Sequence, residues 1–239
     1  MHILIVLFAA HAILELWLIP NQRAADALSP PNGRHGAPPG LQLPGFMALL
    51  TLLSFWDLRG VAAGILVLIG YAAIRWLRWT WSTYSCWHYL GEHTASGLLL
   101  LMVVGGIAGE NSGGLIAFLP GPALQLLAGI TGLLLMWRAG ATAVGLLVTD
   151  LDFQPSSGIP NAGRLIGQLE RALILFLVIA GVPSGIGFLI AAKSILRFGE
   201  VKEPKNRKMA EYVLIGTLAS FAFAVPVAYG VAELIKWAQ

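Results

Sequence analysis

Three stretches of this chain, residues 111–137, 172–192 and 212–232, contain no charged side chain. A helix that crosses the roughly 30 Å hydrocarbon layer of a bilayer needs about 20 mostly apolar residues. Each of the three meets that length outright. Shorter charge-free runs at 1–14, 35–56, 60–74, 93–109 and 139–149 meet it when a charge near one end snorkels to the interface. Only 11% of the 239 residues are charged and 57% are hydrophobic. A soluble domain carries about 25% charged residues. Too little polar surface remains to cover a water-soluble globule, and the composition equally excludes a disordered chain. One cysteine, Cys86, excludes an intramolecular disulfide framework. The expected fold is all-α: a polytopic transmembrane bundle of about eight spans, forming a single membrane domain over 1–239.

The spans read as 2–20, 42–56, 60–77, 92–109, 121–149, 163–181, 185–198 and 209–235. The first is a retained helix rather than a signal peptide, because no basic residue precedes it and Glu15 lies inside it. Residues 21–44 hold Pro30, Pro31, Pro38, Pro39 and Pro44, and no helix crosses such a stretch. Asp57-Leu58-Arg59-Gly60 reads as a tight turn. Trp76, Trp79 and Trp81 alternate with Arg75 and Arg78, the pattern of an interfacial aromatic belt. Arg138 falls inside the fifth span, which is long and reads as tilted or broken near Gly140. Gly181-Val182-Pro183-Ser184-Gly185 breaks the apolar run that follows. Residues 185–198 therefore form either a short seventh span or a re-entrant arm, and the latter leaves seven crossings.

Lysine and arginine counts in short loops set orientation. With eight crossings and an outer N-terminus, the inner side receives twelve of the fifteen cations: Arg23, Arg34, Arg75, Arg78, Arg164, Arg171, Lys193, Arg197, Lys202, Lys205, Arg207 and Lys208. The outer side receives Arg59 and Lys236. The basic loop 199–208 is then cytoplasmic. The excess of positive charge has this explanation in the membrane, and nucleic acid is not an expected partner.

No Walker loop, dinucleotide fingerprint, nucleophile elbow or His-Glu-x-x-His motif occurs. Two His/carboxylate pairs stand four residues apart, His11 with Glu15 and His88 with Glu92. That spacing stacks both side chains on one helix face. Two such helices side by side would offer a divalent zinc, iron or manganese ion two imidazoles and two carboxylates. The plainer reading has Glu15 bonded within the bundle and His88 and Glu92 marking the interface. A second group is C-terminal: Arg164, Glu170, Arg171, Lys193, Arg197, Lys208 and Glu211. Gly163, Gly167 and Glu170 share one face, and a carboxylate at that depth needs a cation, so Glu170 is expected to pair with Lys193, Arg197 or Arg171. Gly-x-x-x-Gly pairs such as Gly60/Gly64 and Gly163/Gly167 suit close helix crossings.

The segments Gly163-Arg164-Leu165-Ile166-Gly167-Gln168-Leu169-Glu170-Arg171, Gly187-Phe188-Leu189-Ile190-Ala191-Ala192-Lys193-Ser194-Ile195-Leu196-Arg197-Phe198, Arg207-Lys208-Met209-Ala210-Glu211-Tyr212 and Leu214-Ile215-Gly216-Thr217 resemble the bacterial membrane-protein family called domain of unknown function 3307. The resemblance implies a polytopic protein of the bacterial inner membrane and carries no activity with it. Toward the N-terminus only His11 and Glu15 keep the family's His/acid pair. Tyr71, Ile74, Arg75 and Arg78, and then Glu92, His93 and Ser96, stand where it has further histidines and aspartates.

Three functions are compatible with this sequence. The first is a non-catalytic membrane component that packs with other subunits or with itself, in contact with the lipid bilayer. The second is an ion or small-solute pathway using Glu170, Lys193, Arg197 and Arg138. The third is a membrane-embedded metal-dependent hydrolase using His11, Glu15, His88 and Glu92. The orientation is directly testable. With Cys86 replaced, a cysteine at Asn206 is expected to resist an impermeant thiol reagent applied to intact cells, and ready labelling from outside would invert the topology.

Overall fold

The computed structural model describes residues 2–13, 47–49, 51, 58–80, 85–107, 120–149, 162–198 and 207–238. Every regular element among them is helical: α1 His2–Ile13, α2 Leu58–Thr80, α3 Cys86–Ile107, α4 Gly121–Thr149, α5 Ala162–Ile179, α6 Gly185–Phe198 and α7 Arg207–Trp237. Residues 47–49 and 51 are helical as well. The Pro-rich stretch 21–44, the polar turn after α3, the 150–161 segment and most of the basic loop 199–208 lie outside the described residues, as does Glu15. By length and composition two helices, Gly121–Thr149 and Met209–Trp237, are long and apolar enough to cross a membrane.

Several boundaries differ from the sequence reading for local reasons. The tight turn expected at 57–60 is absent at its C-terminal part, where Leu58, Arg59 and Gly60 form the first turn of α2. The same helix continues past the expected end at 77 to Thr80, through Trp76 and Trp79, because nothing in that aromatic and basic stretch breaks a helix. The basic segment is shorter than 199–208, since α7 begins at Arg207. The disturbance near Gly140 is a π-helical turn over Leu135–Ala139 within α4, not a break.

The chain divides into two compact units, residues 1–131 with 234–239, and residues 132–233. In the first, α2 and α3 pack along each other and α1 packs on α3. Gly97 allows that approach, since a Cβ there would stand 3.3 Å from the Phe8 ring. Ile5, Leu124, Ala128 and Ala238 form a buried cluster beside Val6, Leu234 and Ile235.

In the second unit, α5 packs against the second half of α4 and against α6. The α5–α6 hairpin is closed by a Schellman motif. Val182 N–H donates to Leu177 O at 2.9 Å and Gly181 N–H to Val178 O at 3.1 Å, the six-to-one and five-to-two bonds of that cap. Gly181 takes φ 75°, a conformation that costs other residues roughly 1–2 kcal/mol. Pro183 follows, where no helical N–H is required. The Pro-Gly interruption is thus a helical hairpin that sends α6 back along α5. With 14 residues, α6 spans about 21 Å at 1.5 Å per residue.

Candidate functional site

Arg171 and Gln168 stand three residues apart on one face of α5, both buried at 2% and 7% exposure. Opposite them runs the π turn of α4, where Gly140 N–H bonds to Leu135 O, five residues back. In an α-helix that N–H would serve Met136 O. Arg171 takes over this acceptor, its Nε donating to Met136 O at 2.8 Å. Gln168 Nε2 donates to the next carbonyl, Trp137 O, at 2.8 Å. Arg171 Nη1 also donates to Ser220 Oγ on α7 at 2.9 Å. One guanidinium therefore ties α5 to α4 and α7. Gly140 makes the crossing possible, because a Cβ there would lie 2.6 Å from Arg171 Nε and 3.0 Å from the Phe223 ring.

Glu170 points to a different neighbour. Its Oε2 accepts from Lys193 Nζ on α6 at 2.6 Å, with side chains 14% and 21% exposed. The hairpin sets this register. Of the three partners the sequence allows Glu170, the structure selects Lys193. Arg164 is exposed on α5, Glu211 is exposed on α7, and Arg138 is half-buried within the π turn. Arg197 and Lys208 stand on α6 and α7, and their side chains fall outside the described residues. The C-terminal charges are thus distributed between an ion pair on the α5–α6 side and a buried arginine on the α4–α7 side of one helix.

In the first unit α1 and α3 are neighbours, as a shared ion on His11 and Glu92 requires. The imidazole that meets His11 is nevertheless His93, at a ring-centroid distance of 5.7 Å. His11 Nδ1 and the Tyr71 hydroxyl share a hydrogen bond of 3.1 Å, and Tyr89 packs edge-on against His93 at 4.4 Å. His88 sits at the start of α3, where its Nδ1 accepts the Ser85 N–H at 3.4 Å and lies 2.8 Å from the Ser85 hydroxyl. The bond from the Ser85 N–H to the side chain three residues on is the one that the third residue of a helix makes in a capping box. Glu92 is buried one turn further on. Among the described residues no three His, Cys, Asp or Glu side chains are grouped to hold a metal.

Sequence reasoning missed Gln168, Ser220 and Tyr89, and it singled out Tyr71 and His93 only as departures from the pattern of the family the chain resembles. Gln168 carried a signal in its three-residue spacing from Arg171, which places both on one face. His93, five residues from His88, is turned away from the His88 face by its spacing. That His11 meets it was not legible, because the rotational phase between two helices is a property of their packing. No family model, curated protein or solved structure matches this chain.

The ion pair has a direct test in a double-mutant cycle. Glu170→Ala and Lys193→Ala are each expected to lower the melting temperature in detergent. The double variant is expected to lose less than the sum, with a coupling of about 0.5–3 kcal/mol. Strictly additive losses would show that the two side chains do not support each other.

Proposed function

We propose that this chain is a multi-pass component of the bacterial inner membrane that packs with other membrane subunits or with a second copy of itself and has no catalytic centre of its own. The observation that carries this reading is an outer surface of large apolar side chains around a core that also buries charge. Large apolar side chains cover the outside: Phe188 is 78% exposed, Ile195 70% and Phe176 65%. Leu165, Ile166, Leu169 and Leu173 on α5, and Leu214, Ile215 and Leu218 on α7, are also exposed. Among largely apolar buried residues, the second unit also buries Arg171, Gln168 and Ser220, and the first His11 and Glu92. In water such a surface would drive aggregation, because soluble monomers rarely expose apolar patches beyond a few hundred Å². In a bilayer the cost is reversed: apolar side chains meet lipid, and polar ones face inward to find partners.

Hydroxyl chemistry supports the same reading. Thr131, Thr149, Ser194 and Thr217 each donate to the carbonyl four residues earlier, at 2.7–2.8 Å. Back-bonding of this kind satisfies a hydroxyl without water. About eight crossings, with both termini outside, follow from the charge-free runs and the cation bias. The α5–α6 hairpin supports placing residues 162 and 198 on one side, the side to which the cation bias assigns the basic loop. The absence of a catalytic role is inferred from how the candidate polar groups are used: Glu170 on Lys193, Arg171 and Gln168 on α4 carbonyls, His88 on its own helix cap.

An ion or small-solute pathway is the second reading, favoured by the buried Arg171 and the half-buried Arg138 on facing helices. Alkaline carbonate extraction separates the membrane assignment from a soluble one, and the chain is expected to stay in the pellet. Native mass spectrometry of the gently solubilised protein then tests the packing role, for which a defined multimer or stoichiometric complex is expected. Release into the supernatant contradicts the membrane assignment. A strictly monomeric protein that conducts ions in liposomes favours the pathway.

A further inference from the structure

The charge on Arg171 is fixed in place by two neutral oxygens, Met136 O and Ser220 Oγ, and neither balances it. A guanidinium carries five N–H donors, and these two bonds use two of them. Among the described residues no carboxylate forms an ion pair with Arg171. The adjacent Glu170 is held by Lys193 at 2.6 Å. Among the described residues the charged groups that act on Arg171 are Glu170 and Arg164, one anion already shared and one further cation. A buried charge retained without a counterion is strongly unfavourable.

The guanidinium has an identifiable depth. Helical side chains lean toward the helix N-terminus, and a Cβ on Gly167 would lie 3.2 Å from Arg171 Nη1. The charge is therefore level with Gly167, five residues or about 7.5 Å inside the start of α5 at 1.5 Å per residue. Arg164, seven residues before Arg171, lies on the same helix face and is exposed. Gly163 leaves open space beside it, since a Cβ there would meet nothing within 4 Å. Around this end of α5 the exposed large apolar residues are Leu165, Ile166 and Leu169.

We infer that this end of α5 binds a phosphate-type oxyanion, the phosphodiester of an anionic phospholipid, with Arg171 as the deep donor and Arg164 as the outer one. Guanidinium forks match phosphate oxygens in geometry as well as charge. The exposed leucine and isoleucine side chains beside them suit acyl chains, which a free anion does not bring. The lipid source rests on the membrane reading above, whereas the oxyanion chemistry does not.

The test uses the purified full chain in neutral detergent, with phosphatidylglycerol, phosphatidylcholine or inorganic phosphate added. Melting temperature and native mass are read together. Phosphatidylglycerol is expected to raise the melting temperature and persist as a mass adduct, while phosphatidylcholine does neither. Arg164→Gln, at an exposed position, is expected to melt like the parent without lipid and to lose about half of the lipid-induced shift. Arg171→Gln is expected to lose all of it, with Arg171→Lys as the variant to use should Arg171→Gln not fold, because it keeps the charge and loses the fork. A shift with inorganic phosphate equal to that with phosphatidylglycerol keeps the oxyanion site and assigns it to a soluble ion, even if the chain proves extractable from membranes. No shift with either ligand, or shifts undiminished in the arginine variants, overturns the proposal.

Discussion

A backbone carbonyl that loses its helical donor in apolar surroundings must find another, because an unsatisfied buried acceptor costs about 1–3 kcal/mol. The second unit is organised around that requirement. The π turn at Leu135–Ala139 moves the Gly140 N–H from Met136 O to Leu135 O. Arg171 and Gln168 then supply donors to Met136 O and Trp137 O. Since π turns inside α-helices mark positions where geometry is maintained against a regular alternative, the two donors and the irregular turn explain each other. Gly140, Ser220 and the burial of Arg171 follow: the first leaves room for the side chain, the second accepts its Nη1, and the third is the consequence of reaching across three helices.

The opposite side of α5 is held by different physics. Glu170 and Lys193 meet because the Schellman turn at Gly181 returns α6 antiparallel to α5, and an ion pair in partly apolar surroundings is costly to break from either end. The hairpin and the buried arginine fix the two sides of one 18-residue helix. Apolar residues such as Phe176 and Leu169 are left for its remaining, outward surface. The exposed apolar surface, carbonyl satisfaction and charge pairing are thereby separated onto distinct faces.

Much of this was legible in the residues. Long charge-free runs announced the helices, Gly181 and Pro183 announced the turn, and a carboxylate in an apolar segment had to be paired, which narrowed the partners of Glu170 to a few cations. The π turn was not legible, because Leu-Met-Trp-Arg-Ala has no sequence mark distinguishing it from ordinary helix. Its stabilising donors lie more than 30 residues away. The meeting of His11 with His93 rather than His88 was equally hidden. Spacing places side chains on a face of one helix, but which face meets a neighbour depends on packing, and Ser85 draws His88 into the cap of α3 instead.

The account turns on polar groups facing inward and apolar ones meeting hydrocarbon. Nitroxide labels at Leu169, Phe176 and Leu218, introduced one at a time with Cys86 replaced, measure this directly in reconstituted liposomes through collision rates with oxygen and with a water-soluble nickel chelate. Oxygen partitions into lipid and the chelate stays in water. Collisions dominated by oxygen at all three positions are the predicted result. Chelate-dominated collisions there would place these faces in water and contradict the account.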